Sequence, residues 1–438
     1  MRVAIETHGC KLNQADSEAL ARCFQELGHQ VVSADAEGVE VYILNTCTVT
    51  HTADAKARQA LRSAHRRHPQ ALLVATGCLA QRAPEALRAI PGVSLVVGNT
   101  HKESLPTQVL ALLGQENSSP CATGVPTEAP FLLGRTRAFV KIQEGCNQVC
   151  AYCIVPKVRG RERSIPLDDL VRTVQEREAQ GYKEVVLTGT QLGSYGYEWG
   201  KNGLVALLEA LLHRTSIPRI RVSSLQPQEL TPTLLALWSD PRLCPHFHIP
   251  LQSGSDSVLQ RMRRRYTRRD YLDAVERIRT RLPMASITTD IIVGFPGETE
   301  EDFQQTVSLC REVGFARMHL FPYSRRPGTS AFYFSDAVPP EVKRWRMGIL
   351  GELARQQALA YRQNSVGSTR PVLWEEGKPF PTGQTLWYGL TDTYVRVCTL
   401  APVALGNHIT PARLVSVQGE VVWAKVEQVT ASEAGPSR

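Results

Sequence analysis

The sequence predicts an α/β fold in three parts: a small parallel α/β domain over residues 1–113, an incomplete (β/α)6 barrel over 135–365 and a small antiparallel β-barrel over 366–430. Two observations carry this reading. Apolar strands alternate with helical segments from the first residues to about 320, the pattern of parallel sheets built from βαβ units. From about 366 the chain turns to short β-rich runs separated by glycine turns, as in a small closed barrel. The polar, proline-containing stretch 114–134 reads as a linker, with Cys121 exposed in it, and 431–438 as a polar tail.

In the first part, Val3–Glu6, Glu40–Asn45 and Leu72–Thr76 read as strands, and 17–28 and 53–68 as helices. Each strand leads directly to a cysteine: Cys10, Cys47 and Cys78. Loops at the carboxyl ends of parallel strands gather along one edge, where ligands bind, so these three thiols are expected to meet and hold one cluster. The alternative is three unrelated core cysteines. The basic residues of the second helix (Lys56, Arg58, Arg62, Arg66, Arg67) read as a solvated face.

The barrel strands are expected near 138–143, 184–188, 219–223, 246–250, 287–293 and 316–321, with helices near 168–180, 204–213, 231–238, 268–281 and 300–313. After the first strand come Cys146, Cys150 and Cys153, a CxxxCxxC spacing. Three thiolates this close on a loop can hold three irons of a cubane cluster and leave the fourth open to a substrate. A zinc site would ask for a second ligand pair at ribbon spacing, which does not follow. His246 and His248 share one face of the fourth strand and read as satisfied barrel histidines. Cys244 and Cys310 read as core.

The CxxxCxxC spacing with Tyr152 before its last cysteine resembles the radical S-adenosylmethionine (SAM) superfamily. The resemblance implies a 4Fe-4S cluster on Cys146, Cys150 and Cys153, with Tyr152 near the adenine of SAM. It places backbone contacts to the methionyl group at Thr188, Gly189 and Gln191, polar contacts at Ser223 and Ser224, and an adenine approach at Gly294. The segments Thr7-His8-Gly9-Cys10-Lys11-Leu12-Asn13, Asn45-Thr46-Cys47-Thr48-Val49 and Gly77-Cys78 resemble the amino-terminal domain of the methylthiotransferases, which implies a second 4Fe-4S cluster on Cys10, Cys47 and Cys78.

In that family a radical made from SAM removes hydrogen from an unactivated carbon, and the second cluster supplies a methylated sulfur. No side-chain acid or base is demanded. Lys11-Leu12-Asn13 and Lys141-Ile142-Gln143-Glu144-Gly145-Cys146 look most like the branch that modifies carbon 2 of threonylcarbamoyl-adenosine beside the tRNA anticodon. Methylthiolation of isopentenyl-adenosine or of a ribosomal-protein aspartate are the neighbouring alternatives, and a non-catalytic iron–sulfur RNA-binding or electron-transfer protein is the alternative of another class.

The family's partners would be a tRNA anticodon stem-loop, an electron-donor protein and a sulfur source. The carboxyl-terminal part resembles the TRAM domain, in which Trp374, Trp387, Tyr388 and Arg396 would stack on RNA. Net charge is +8, and residues 114–365 carry 33 Lys+Arg against 26 Asp+Glu, almost all of the surplus. The densest run, Arg261–Arg269 around Tyr266, suits either phosphate pairing and base stacking or a solvated helix end. Nothing resembles a signal peptide or membrane span, so a cytoplasmic protein with no membrane partner is expected.

Overall fold

The computed structural model describes residues 1–115, 136–381 and 383–427. Most of the predicted linker, including Cys121, and the predicted tail 431–438 lie outside the described residues. The chain divides into two compact units. The first comprises Met1–Gly181, Val186–Leu207 and Ser324–Phe334, and the second comprises Tyr182–Val185, Leu208–Tyr323 and Ser335–Arg438.

In the first unit, β1 (Arg2–Thr7), β2 (Gln30–Val32), β3 (Val41–Thr46), β4 (Leu72–Gly77) and β5 (Val93–Gly98) form one parallel sheet of order β2-β1-β3-β4-β5. Alternate residues of β3 explain why it sits centrally. Ile43 joins Val3, Ile5, Leu20 and Phe24 on one face, while Tyr42 and Leu44 join Leu61 and Leu73 on the other. A strand buried on both faces reads as a continuous apolar run, and so it was legible. The sheet has five strands where three are predicted. The short β2 is exposed or half-buried throughout, and β5 alternates weakly, so neither gives a strong pattern.

Helix α1 (Lys11–Glu26) begins directly after Cys10 rather than at residue 17, because Asn13, Asp16, Ser17 and Glu18 are polar yet buried. Then come α2 (His51–Arg67), capped by the Thr50 side chain accepting from Ala53 N at 3.1 Å, α3 (Cys78–Arg82), α4 (Pro84–Arg88) and α5 (Leu105–Leu112). The unit continues through β6 (Arg137–Lys141), β7 (Gln143–Glu144), α6 (Val155–Arg159), β8 (Arg163–Ser164) and α7 (Leu167–Ala179). It also holds the carboxyl end of β9 (Glu184–Thr188), where Ile142 N donates to Thr188 O at 2.9 Å.

In the second unit the start of β9 pairs with β10 (Arg219–Val222). Then follow α8 (Leu204–Arg214, largely in this unit), α9 (Pro232–Ala236), β11 (His246–His248), α10 (Asp256–Arg261), α11 (Arg268–Arg281), β12 (Ser286–Val293), α12 (Glu300–Val313) and β13 (Arg317–Pro322). Strands β11, β12 and β13 pair in parallel. Each of the six predicted barrel strands thus has its counterpart. Helix α13 (Pro340–Ser365) escapes the sequence reading because Arg346, Leu350 and Ser365 are its buried residues, which leaves no apolar stripe.

The closing barrel contains β14 (Thr369–Pro379), β15 (Thr385–Thr391), β16 (Arg396–Ala401), β17 (Ile409–Gln418) and β18 (Val421–Val426) in the order β14-β15-β16-β18-β17. It is not wholly antiparallel, since β16 and β18 run parallel. Trp374, expected to stack on RNA, is fully buried and donates to Thr410 Oγ1 at 2.8 Å. Tyr266 is likewise buried, its hydroxyl donating to Pro250 O at 2.7 Å, so the arginine run carries no free stacking ring there. Trp387 and Tyr388 remain half-exposed, with Arg396 over the Tyr388 ring at 5.0 Å. Among the described residues, no helix is long and apolar enough to cross a membrane.

Candidate metal centres

Cys10, Cys47 and Cys78 follow β1, β3 and β4, three strands adjacent in the sheet. Their register places Thr7 beside Asn45 and Thr46 beside Gly77, so the cysteine loops leave the sheet at one level. Gly77 has φ +94°, and a Cβ there would stand 2.5 Å from both Asn45 Oδ1 and Thr46 O, so the turn into Cys78 admits only glycine. A Cβ on Gly9 would stand 2.7 Å from Cys47 Cβ, which shows how closely the first loop approaches the second.

Polar side chains fix these loops from beneath. Asn13 Nδ2 donates to His8 O at 2.7 Å and to Thr46 O at 3.0 Å, clamping the loops of Cys10 and Cys47. Asn45 Nδ2 donates to Asn13 O at 2.8 Å. Thr46 Oγ1 accepts from Leu79 N at 3.1 Å and donates to Thr76 O at 2.5 Å, which ties the Cys47 loop to the start of α3. Beside Cys47, Arg326 donates to Thr48 Oγ1 and Asp54 Oδ2, each at 2.7 Å, and Arg82 donates to the same two groups at 2.7 and 2.6 Å.

Cys146, Cys150 and Cys153 lie on the loop between β7 and α6, with Cys146 buried and the other two half-buried. Cys153 N donates to Cys150 O at 3.1 Å and Cys146 N to Gly160 O at 3.1 Å. Gly145 opens the loop with φ +77°, and a Cβ there would lie 1.9 Å from Arg161 O. Gln143 was not singled out by its sequence context, yet it braces two segments. Its Nε2 donates to Gly145 O at 2.8 Å, while its Oε1 accepts from Thr190 N at 3.1 Å and Gln191 N at 2.9 Å. Thr188, Gly189 and Gln191 therefore share the first unit with both cysteine sets and Tyr152, whereas Ser223, Ser224 and Gly294 belong to the second unit.

Helix α6 connects the two cysteine sets. Cys78 packs with Ile154 and Val158, and Asn99 Nδ2 donates to Val158 O at 2.8 Å while reaching Cys78 Sγ at 3.5 Å. The last residue of α6, Arg159, is buried. It donates to Asn13 Oδ1, to Asp16 Oδ2 at 3.1 Å and to Glu144 Oε1 at 2.6 Å. Lys102 and Lys141 also donate to Asp16, at 3.0 and 2.8 Å. Burial opposes the charge of Arg159, and Cys78, Asp16, Cys10 and Glu144 more than offset it. Arg163 also reaches Glu144 at 3.7 Å, so in this group cations outnumber the carboxylates of Asp16 and Glu144.

This surroundings suit thiolate ligands. Burial pushes the Cys47 thiol up to about 11, so ionising it requires a cation at the sulfur. A metal cluster would supply that cation, and the surplus positive charge would offset part of an anionic ligand set. Asp16 and Arg159 were missed because an isolated buried polar residue leaves no periodic signal in a sequence.

Comparison with known proteins gives a consistent result. Residues 140–310 match the Radical SAM superfamily, and residues 2–98 match "Uncharacterized protein family UPF0004". The chain is 41% identical to the threonylcarbamoyladenosine tRNA methylthiotransferase MtaB of Aquifex aeolicus, over 86% of this chain and 94% of that protein. It is 37% identical to the Bacillus subtilis protein of the same name, over 90% and 89%. It is 38% identical to the tRNA-2-methylthio-N(6)-dimethylallyladenosine synthase of Acidothermus cellulolyticus, over 85% and 77%. Among solved structures, the radical SAM methyltransferase TsrM of Kitasatospora setae superposes with TM-score 0.55 at 15% identity, over 75% of this chain and 76% of that one, a likeness of fold.

Proposed function

The chain belongs to the radical SAM methylthiotransferases, and from that premise we propose that it adds a methylthio group to carbon 2 of threonylcarbamoyl-adenosine beside the tRNA anticodon. The observation that carries the reading is the joining of two three-cysteine sets by α6, with Cys78 packed on Ile154 and Val158. One set beside another suits a reaction that both makes a carbon reactive and delivers sulfur to it. The relatives named for threonylcarbamoyladenosine, together with Lys11-Leu12-Asn13 after the first cysteine, favour this nucleoside over dimethylallyl-adenosine.

In this reading Cys146, Cys150 and Cys153 hold one 4Fe-4S cluster, and Cys10, Cys47 and Cys78 hold a second. When bound, SAM and the clusters supply the radical and the methylated sulfur, chemistry that belongs to the cofactors. The protein's own residues position. Gln143 holds the Thr188–Gln191 turn against the cysteine loop, and Thr188, Gly189, Gln191 and Tyr152 are assigned to SAM, as by the family resemblance are Ser223, Ser224 and Gly294. Arg159 holds the two cysteine loops in fixed relation and keeps a positive charge beside the sulfurs. Trp387, Tyr388 and Arg396 are assigned to stacking on the RNA, whose single-stranded loop exposes its bases to such contact. The domain limits 1–113, 135–365 and 366–430, an electron-donor protein, a sulfur source and a cytoplasmic location complete the proposal.

The test is mass spectrometry of tRNA nucleosides from a deletion strain. Loss of methylthio-threonylcarbamoyl-adenosine, with its unmodified precursor accumulating, is the expected result. Loss of the methylthio-dimethylallyl nucleoside instead would transfer the enzyme to the neighbouring branch.

A further inference from the structure

Three side chains in the second unit converge without any cysteine among them. His248 ends β11, Asp290 lies within β12 and His319 lies within β13. The register pairs His248 with Thr288 and Asp290 with His319, so all of these residues point from the same face of three adjacent strands. The opposite face is the packed one, since Thr289 meets the Tyr271 hydroxyl of α11 at 3.4 Å.

One ligand atom from each of His248, Asp290 and His319 lies within 4.8 Å of the other two. His248 Nε2 stands 3.3 Å from Asp290 Oδ2, and His319 Nδ1 stands 3.0 Å from Asp290 Oδ1. Donors each about 2.1 Å from one tetrahedral ion stand about 3.4 Å apart, so an ion fits here with small side-chain adjustments. We infer that His248, Asp290 and His319 form a binding site for one divalent transition-metal ion of the zinc or iron(II) type. Two imidazoles and one carboxylate are the donor set such ions prefer, and three protein ligands leave further positions open.

The neighbours support this assignment. A metal-binding imidazole normally has its second nitrogen held by a protein group, which fixes the ring. His248 Nδ1 meets Thr288 Oγ1 at 3.0 Å, which directs Nε2 toward Asp290. The same hydroxyl meets His246 Nε2 at 3.1 Å, and the His246 ring stacks on Tyr394 at 4.7 Å. The His248 ring is thus held from behind, while the His319 side chain is 41% exposed and gives an ion a way in. The site uses none of the six cysteines assigned to clusters.

The experiment takes the full chain with its clusters reconstituted, dialyses it anaerobically against zinc ions, and counts zinc and iron separately by mass spectrometry. The expected result is one zinc per chain in the wild type. His319→Gln and Asp290→Asn should each lose it at the same free zinc, and Thr288→Val should weaken it about 10- to 100-fold, with iron unchanged throughout. His319→Gln changes a partly exposed side chain, so it decides the matter even where Asp290→Asn folds poorly. No zinc taken up by the wild type, or equal zinc in the wild type and His319→Gln, overturns the proposal. Because iron is counted in the same sample, loss of a cysteine-held cluster is distinguished from loss of this site.

Discussion

Arg159 donates from Nη2 to Asp16 Oδ2 at 3.1 Å, joining a residue six positions after Cys153 to one six positions after Cys10. Burial alone would raise the Asp16 carboxyl, but Lys102, Lys141 and Arg159 hold it well below the usual carboxylate range. Removing Arg159 leaves buried acceptors on Asn13, Asp16 and Glu144 without this donor, which typically costs about 1–3 kcal/mol per unsatisfied group. Arg159→Ala is therefore expected to lower stability by that order in chemical denaturation. Arg159→Lys keeps the charge and loses the fork that spans Asn13, Asp16 and Glu144, so it should fall between the two.

A second buried group sits in the other unit. Glu184 accepts from Arg221 Nε and from Arg219 Nη2, each at 2.8 Å, and no part of the Glu184 side chain is exposed. The same arginines donate to the carbonyls of Leu390, Thr391 and Asp392 in the carboxyl-terminal barrel. Glu184→Gln leaves two buried guanidinium groups without their anion and is expected to cost about 3–5 kcal/mol. Limited proteolysis should cut the variant faster around 390–395, because the arginines that fix that turn lose their own support. Unchanged cleavage there would show that the turn is held independently.

Asp302 gives a pH dependence with a defined sign. Burial would raise its carboxyl, but the hydroxyls of Ser255 and Ser257, each at 2.5 Å, and the amide and hydroxyl of Thr299, at 2.9 and 2.8 Å, hold it at about 2. The unfolded chain binds the proton near the ordinary value of about 3.9, so the ionised carboxylate stabilises the fold fully above that pH. The contribution is lost as pH falls through about 2. Asp302→Asn also breaks the reciprocal cap of α12, a loss of about 1–2 kcal/mol at pH 7. Thermal melts should show this advantage of the wild type intact from pH 7 to 5 and narrowing from about pH 4 toward 2.

Which features could be read from the chain follows from their physics. Cys10, Cys47 and Cys78 were legible because parallel topology brings loops at the ends of adjacent strands together, whatever their separation in sequence. Cys146, Cys150 and Cys153 were legible because their spacing is local. Asp16 and Arg159 were not, since each is an isolated charge outside the predicted elements until the fold buries it. Trp374, given a stacking role by the resemblance to the TRAM domain, instead fills the barrel core and donates to Thr410, and the Tyr266 ring is buried too, which removes it from the two readings open for its arginine run. Helix α13 lacks an apolar stripe because it is mostly exposed.

The two cysteine sets can be separated by a single added side-chain carbon. Gly145 has φ +77°, and a Cβ there would lie 1.9 Å from Arg161 O, a collision with backbone that no rotamer relieves. Gly145→Ala should displace the turn into Cys146 while leaving the loops of Cys10, Cys47 and Cys78 held by Asn13, Asn45 and Thr46. Replacing those three cysteines together by Ala should have the opposite effect. Anaerobically reconstituted wild type is expected to hold about eight irons and each variant about four, as two cubane clusters require. SAM cleavage under dithionite then distinguishes the variants, since it should vanish in Gly145→Ala and persist in the triple replacement. About four irons in the wild type, lost together in Gly145→Ala, would reduce the protein to one cluster.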